Sequence, residues 1–228
     1  MAAGREYGVE VIPGMEITSR EEVHILGYGV RETDKALLGF LEKMHEERQW
    51  RIREMGEKLE QLGFSLPVEE ILSANPQSVG RPHLARAMME RGYVESVPEA
   101  FDRYLGKGRA AYVPRERVSA SQVIEMLKSC GAVPVLAHPG LLKWPKEKLL
   151  PMLSCWQDTG LMGLEVYHPG NRGAYSQWER LARQRGLMVT GGSDFHDISG
   201  HHGKPGETLS DWHSALEDAW MLFRAARK

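Results

Sequence analysis

The stretch Val133-Pro134-Val135-Leu136-Ala137-His138-Pro139-Gly140 decides how this chain is read. Five apolar residues run straight into an imidazole and a Pro-Gly break, the mark of a short buried strand that stops at a turn. The same rhythm continues outward from it. Ser119 to Ser129 reads as a helix with Ser119 as its N-cap, and Lys146 to Gln157 as the next helix. Gly163 to Tyr167 reads as a strand, Ser176 to Arg185 as a helix, Leu187 to Thr190 as a strand and Trp212 to Ala226 as a closing helix. Short apolar strands alternating with helices predict an α/β fold, a parallel sheet covered by helices.

Upstream the pattern changes. Leu37, Leu38, Leu41, Met44, Ile52, Met55, Leu59 and Leu62 recur at helical spacing in a highly charged stretch, until Gly63 and Pro67 break it. Helical pieces follow at Val68 to Leu72, Pro82 to Arg91 and Val97 to Leu105, with no strand between Lys35 and about Arg117. Residues 35–117 therefore read as a helical insertion in a discontinuous domain made of 1–34 and 118–228. At the start, Ala2 to Tyr7 looks like the last turns of a helix stopped by Gly8, followed by a strand at Val9 to Ile12 and another at Val23 to Tyr28. A domain rarely opens on a helix tail and a buried strand, so the domain is expected to be incomplete at its N-terminus.

The chain has 228 residues, 42% hydrophobic and 26% charged, within the range of a soluble globular protein. Its 29 Lys and Arg stand against 31 Asp and Glu, which gives no sign of a general nucleic-acid coat or of stable DNA binding. No apolar run approaches the ~20 residues needed to span a bilayer, and Met1 to Glu6 has no apolar signal core. Two cysteines, Cys130 and Cys155, suit free thiols in a reducing compartment, so the expected location is cytoplasmic. Oligomeric state is not legible.

The chemistry collects directly after the strands. Val9 to Ile12 leads to Glu16, Val133 to Ala137 leads to His138, Gly163 to Tyr167 leads to His168, and Leu187 to Thr190 leads through Gly191-Gly192-Ser193 to Asp194-Phe195-His196. The carboxyl ends of parallel strands share one face, where active sites lie. Glu16, His138, His168, Asp194 and His196 should therefore converge, with His24 pointing to the same mouth from within a strand. Any one strand-end histidine has an ordinary structural reading, but five such groups on one face are costly without a cation. Imidazoles mixed with carboxylates, and no thiolate, suit manganese, iron or zinc. Such a metal activates water and polarises a phosphoryl oxygen. His168 reads better as a substrate-facing or supporting group than as a ligand. His45 and His213 look like surface helix residues, and His201, His202 and Lys204 lie in a Gly-rich loop.

The insertion holds a second constellation, Gly80-Arg81-Pro82-His83-Leu84-Ala85. With Pro82 at a helix start, free N–H groups and the positive dipole end favour a phosphate, and Arg81 can donate to it in bidentate fashion. The competing reading is a plain helix start with a surface arginine.

Taken in order, Pro13-Gly14-Met15-Glu16-Ile17-Thr18, His24 to Tyr28, Gly80 to Ala85, Val135 to Gly140, Gly163 to Pro169 and Gly192 to His196 resemble the PHP (polymerase and histidinol phosphatase) family. Within it they are most similar to the branch acting on nucleoside 3′,5′-bisphosphates and short RNA 5′ ends. The resemblance covers essentially the whole chain. It implies a distorted (β/α)7 barrel with a helical insertion and a centre of two or three divalent ions, Mn2+ first and Fe or Zn as alternatives. By matching position, Glu16, His24, His138, Asp194 and His196 would be metal ligands, with Glu16, Asp194 and His196 acting in catalysis, and Arg81 and His83 would face the substrate phosphate. The family's opening strands, bearing Asp-Leu-His-x-His and Thr-Asp-His-Asp motifs, have no counterpart here, so two βα units are expected to be missing. Two functions follow. One is a metal-dependent phosphatase or 5′-3′ exoribonuclease on small nucleotides or short RNA, impaired by that loss. The other is a non-catalytic metal- or nucleotide-binding remnant; a histidinol-phosphatase-like activity is a third, weaker reading.

Overall fold

The computed structural model describes residues 2–76, 78–115, 117–195, 204–206, 208, 218 and 224. The chain divides into two compact units, one formed by Met1–Leu38 with Arg117–Lys228 and the other by Gly39–Glu116. From the amino terminus the elements are α1 (Ala2–Glu6), β1 (Gly14–Thr18), β2 (His24–Tyr28) and a long helix α2 (Lys35–Gln61). Then come α3 (Val68–Ala74), α4 (Arg81–Glu90) and α5 (Val97–Ala100), the last continued by a π-helical turn at Phe101–Leu105. The remainder is α6 (Ala120–Ser129), β3 (Val133–Leu136), α7 (Lys146–Thr159), β4 (Gly163–Tyr167), α8 (Tyr175–Gln184) and β5 (Met188–Gly191). Tight 3-10 turns at Pro139–Leu142 and Pro169–Asn171 follow β3 and β4.

The five strands among the described residues form one mixed sheet in the order β1-β2-β3-β4-β5. β3, β4 and β5 are parallel, as their βα connections require. β2 runs antiparallel to both β1 and β3, which departs from the all-parallel expectation for a simple reason: only Ser19 to Val23 separate β1 from β2, and so short a link can only build a hairpin. Since β2 alone is reversed, β1, β3, β4 and β5 all point one way, and β2 begins where the others end.

The first strand is not where its apolar residues suggest. Val9 to Ile12 is irregular, with Val9 61% and Val11 43% exposed. The strand lies five residues further on. β-propensity yields to context: the register pairs Ile17 with Ile25, and both are buried. Gly8, at φ +66°, ends α1 and lets Val9 N–H bond back to the Gly4 carbonyl at 2.8 Å.

One face of β2 and β3 is covered by α6, which buries Val123, Ile124 and Leu127. A Cβ on Gly27 would stand 2.4 Å from Leu127 Cδ2, so the glycine sets how closely the helix approaches. α6 begins in a capping box: Ser119 Oγ accepts from Gln122 N–H at 3.2 Å, and Gln122 Oε1 accepts from Ser119 N–H at 2.9 Å. On the opposite face Val133 and Val135 pack with Leu26, Tyr28 and Met188. Unit Gly39–Glu116 has its own core, in which Ile52, Met55 and Leu59 meet Leu84, Met88, Leu105 and Val113. The expected closing helix Trp212 to Ala226 lies outside the described residues apart from Asp218 and Arg224, both helical. Asp218 is buried, accepts from Val189 N–H at 3.2 Å and pairs with Arg183.

Candidate metal centre

The hairpin register pairs Thr18 with His24 and Glu16 with Leu26, so Glu16 and His24 project from the same face, two residues apart along the ladder. The reversal of β2 then matters. It places His24, the first residue of β2, beside the carboxyl end of β3, where Ala137 N–H donates to the His24 carbonyl at 3.0 Å. His138 comes next, with the left-handed backbone of φ +24° that few non-glycine residues adopt.

These three side chains meet. Glu16 Oε1 lies 2.6 Å from His24 Nδ1 and 3.4 Å from His138 Nε2, and the two rings stack edge-on at 4.9 Å. One donor atom from each lies within 4.8 Å of the other two. Two imidazoles and a carboxylate are a donor set for a first-row divalent cation. The electrostatics agree with that use. Hydrogen bonds from His138 and His24 hold the Glu16 carboxyl far below the usual carboxylate range. Burial disfavours the charged form of His138, but its bond to Glu16 and the charges of Glu165 and Glu16 outweigh this and raise its pKa. His138 Nδ1 and His168 Nε2 are buried with no hydrogen-bond partner among the described residues, the condition of polar atoms that await one.

His168 and Asp194 extend the cluster. The His168 ring lies 5.0 Å from that of His138, and its Nε2 lies 4.0 Å from Asp194 Oδ2. His168 Nδ1 accepts from Gly170 N–H at 2.9 Å, so the neutral ring carries its proton on Nε2 and presents a donor to the site. Burial, then the nearby His138 charge, lower its pKa and favour that neutral form. Thus Glu16, His24, His138, His168 and Asp194 gather at one end of the sheet. Glu16 reaches it from the middle of β1, not from a loop after a strand.

His196, with His201, His202 and His213, lies outside the described residues. His45 lies on α2 in the other unit, half-buried, with its Nε2 2.6 Å from Gln49 Nε2 one turn along the same helix. In the other unit Arg81 opens α4, donates to the Leu105 carbonyl at 3.2 Å, and holds its guanidinium 5.3 Å from the Phe101 ring and 5.6 Å from the Tyr112 ring. His83 Nδ1 accepts from Gly80 N–H at 3.1 Å.

Two residues near the centre were not singled out from the sequence. Glu165 sits in β4 at 5% exposure, and its Oε2 accepts from His138 N–H at 2.9 Å. Burial raises its pKa to about 7, against that N–H bond and with help from Glu16 and Asp194. Asn171 donates to the carbonyls of Glu165 and Val166 and accepts from Gly140 N–H, all within 2.9 Å. A carboxylate in the otherwise apolar Gly163 to Tyr167 was the available signal, since buried acids are rare without a partner.

No family model matches the chain. It is 29% identical over 205 residues to the 3′,5′-nucleoside bisphosphate phosphatase of Chromobacterium violaceum, covering 86% of this chain and 70% of that protein. It is 31% identical over 202 residues to a 5′-3′ exoribonuclease of Haemophilus influenzae, covering 85% of this chain and 72% of that one. A crystal structure from Bifidobacterium adolescentis, described as a metal-dependent phosphoesterase, superposes with a TM-score of 0.66 at 27% identity, covering 95% of this chain and 79% of that one. With the site's donor groups gathered as they are, and relatives of this kind matched over most of their length, the chain belongs to the PHP family of metal-dependent phosphoesterases.

Proposed function

We propose that this chain hydrolyses phosphate esters of nucleotides, either nucleoside 3′,5′-bisphosphates or short RNA 5′ ends, at a manganese centre held by Glu16, His24, His138, Asp194 and His196. The convergence of Glu16, His24 and His138 donor atoms within 4.8 Å carries this reading. The nucleotide chemistry of the relatives gives the substrate class. When bound, such ions supply an activated water and positive charge against the phosphoryl oxygens.

The chain's own groups do the rest. Glu16, kept ionised by its two imidazole partners, remains a negative donor at any ordinary pH. His168 offers its Nε2 proton toward the Asp194 side of the site, where a substrate oxygen would meet it. Arg81 and His83 serve the substrate phosphate. Their preorganisation supports this, because a guanidinium held by two rings and a carbonyl loses little freedom on binding an anion. We read the mixed sheet as the larger part of a distorted (β/α)7 barrel, with residues 35–117 as its helical insertion. The free thiols of Cys130 and Cys155 support a cytoplasmic setting.

The test is phosphate release from a nucleoside 3′,5′-bisphosphate with added Mn2+, for wild type and His138→Ala. Metal-dependent release that the substitution abolishes is expected. Nucleotide binding without turnover would favour the non-catalytic remnant, and turnover of histidinol phosphate in its place would overturn the substrate class.

A further inference from the structure

We propose that Glu165 is a positioning residue that locks the turn carrying His138 against the turn carrying Asp194, and so sets the spacing of the cation-binding groups. This rests on the reading of Glu16, His24 and His138 as a metal centre.

A carboxylate in the middle of a buried strand is costly unless it is hydrogen-bonded, and an aliphatic residue would fill this position of β4 without that cost. Glu165 instead uses both oxygens at the strand ends on either side. β4 lies between β3 and β5. Toward β3, Glu165 Oε2 accepts from His138 N–H at 2.9 Å. That N–H belongs to a residue at φ +24°, a conformation that persists only where the surroundings impose it. Two residues further along the same turn, Gly140 N–H is held by Asn171 Oδ1 at 2.8 Å, from the segment that follows β4. Toward β5, a Cβ on Gly192 would stand 2.6 Å from Glu165 Oε1, so the carboxylate occupies the space that the missing side chain leaves. Gly192 N–H donates to the Tyr167 carbonyl at 3.0 Å, which pins the start of the Asp194 turn to β4 as well. Asp194 itself has φ +54°. One strand thus braces both neighbours, and the Glu165 side chain is the wedge between them.

Glu165 does not belong to the group of donor atoms that close to within 4.8 Å among the described residues. Its action is therefore exerted through His138 and the Gly192 backbone, and a ligand role is not needed to explain its burial.

The experiment titrates Mn2+ alone into wild type, Glu165→Gln, Glu165→Ala, Gly192→Ala and the Glu165→Ala/Gly192→Ala double variant by calorimetry, with circular dichroism and melting as fold controls. Glu165→Ala and Gly192→Ala should each weaken Mn2+ binding ~10–100-fold, the usual effect of losing a supporting partner, at unchanged secondary structure. Gly192→Ala does this without removing any charge, because its Cβ evicts the carboxylate. The double variant should lose no more than Glu165→Ala alone, since truncation vacates the contested space. Glu165→Gln, whose amide oxygen still accepts from His138, should stay within several-fold of wild type. A merely structural role would move the melting temperature and leave this pattern absent. Should Glu165→Ala not fold, Gly192→Ala against Glu165→Gln decides alone. Wild-type affinity in Gly192→Ala and Glu165→Ala, or additive losses in the double variant, would overturn the role of Glu165. A wild type that binds no Mn2+ would instead overturn the metal-centre reading, and this inference with it.

Discussion

Glu16 concentrates the chemistry of the site at the residue scale. It takes a hydrogen bond from His24 at 2.6 Å and contacts His138 at 3.4 Å, so removing its charge removes the group that orients both rings. Glu16→Gln should therefore lower Mn2+ affinity by more than the ~10–100-fold that supporting partners cost, measured by the same calorimetry. An affinity within a few-fold of wild type would exclude Glu16 as a ligand. The protonation of His138 sets the pH dependence. Its pKa in the metal-free protein is raised, so at low pH a proton occupies the nitrogen that a metal would need. Mn2+ affinity should fall as pH drops through that raised value and level off above it. The held-down carboxyl of Glu16 adds nothing in this range, because it is ionised throughout. An affinity that is flat from neutral to mildly acid pH would contradict this assignment. Most of these residues were legible because each stands just past a strand or at its start. Glu165 was not, since a lone acid inside Gly163-Leu164-Glu165-Val166-Tyr167 says nothing about which side of the sheet it faces until the register is known.

At the scale of elements, the strands that follow a βα rhythm were readable and the opening hairpin was not. Leu187 to Thr190 and Gly163 to Tyr167 are apolar runs bounded by turns, and they became β5 and β4 with shifts of a residue at most. Val9 to Ile12 is equally apolar but leaves Val9 and Val11 exposed, whereas Gly14–Thr18 pairs with β2 and buries Ile17 opposite Ile25. Burial decided between two stretches that local propensity did not separate. The reversed β2 was likewise implicit in the short Ser19 to Val23 link. The close fit of α6 on this hairpin gives a stability test. Leu127→Ala should cost ~2–5 kcal/mol and Gly27→Ala ~1–3 kcal/mol by denaturant unfolding, because Leu127 is fully buried and its Cδ2 blocks a Cβ at position 27. The two together should cost less than their sum, since the smaller side chain makes room for the new methyl. Strict additivity would show that this contact does not set the helix approach.

At the scale of the whole molecule, the chain is a mixed α/β unit with a chemically equipped strand end and a separate helical unit with a preorganised cation. The helical unit was readable from periodicity, though the π-helical turn at Phe101–Leu105 was hidden inside what looked like one helix. That turn matters because it brings the Phe101 ring under Arg81. If Arg81 serves the substrate phosphate, Arg81→Lys should raise KM for a nucleoside 3′,5′-bisphosphate several-fold while Mn2+ affinity stays unchanged, because lysine keeps the charge but not the planar fork that stacks and donates in pairs. A change in Mn2+ affinity without a change in KM would assign it elsewhere. The central claim, that Glu16, His24 and His138 hold a divalent cation, is tested most directly by anomalous diffraction at the manganese edge from crystals grown with Mn2+. The account predicts a peak about 2–2.5 Å from one atom of each of the three side chains. A manganese peak elsewhere with none at this position would contradict it.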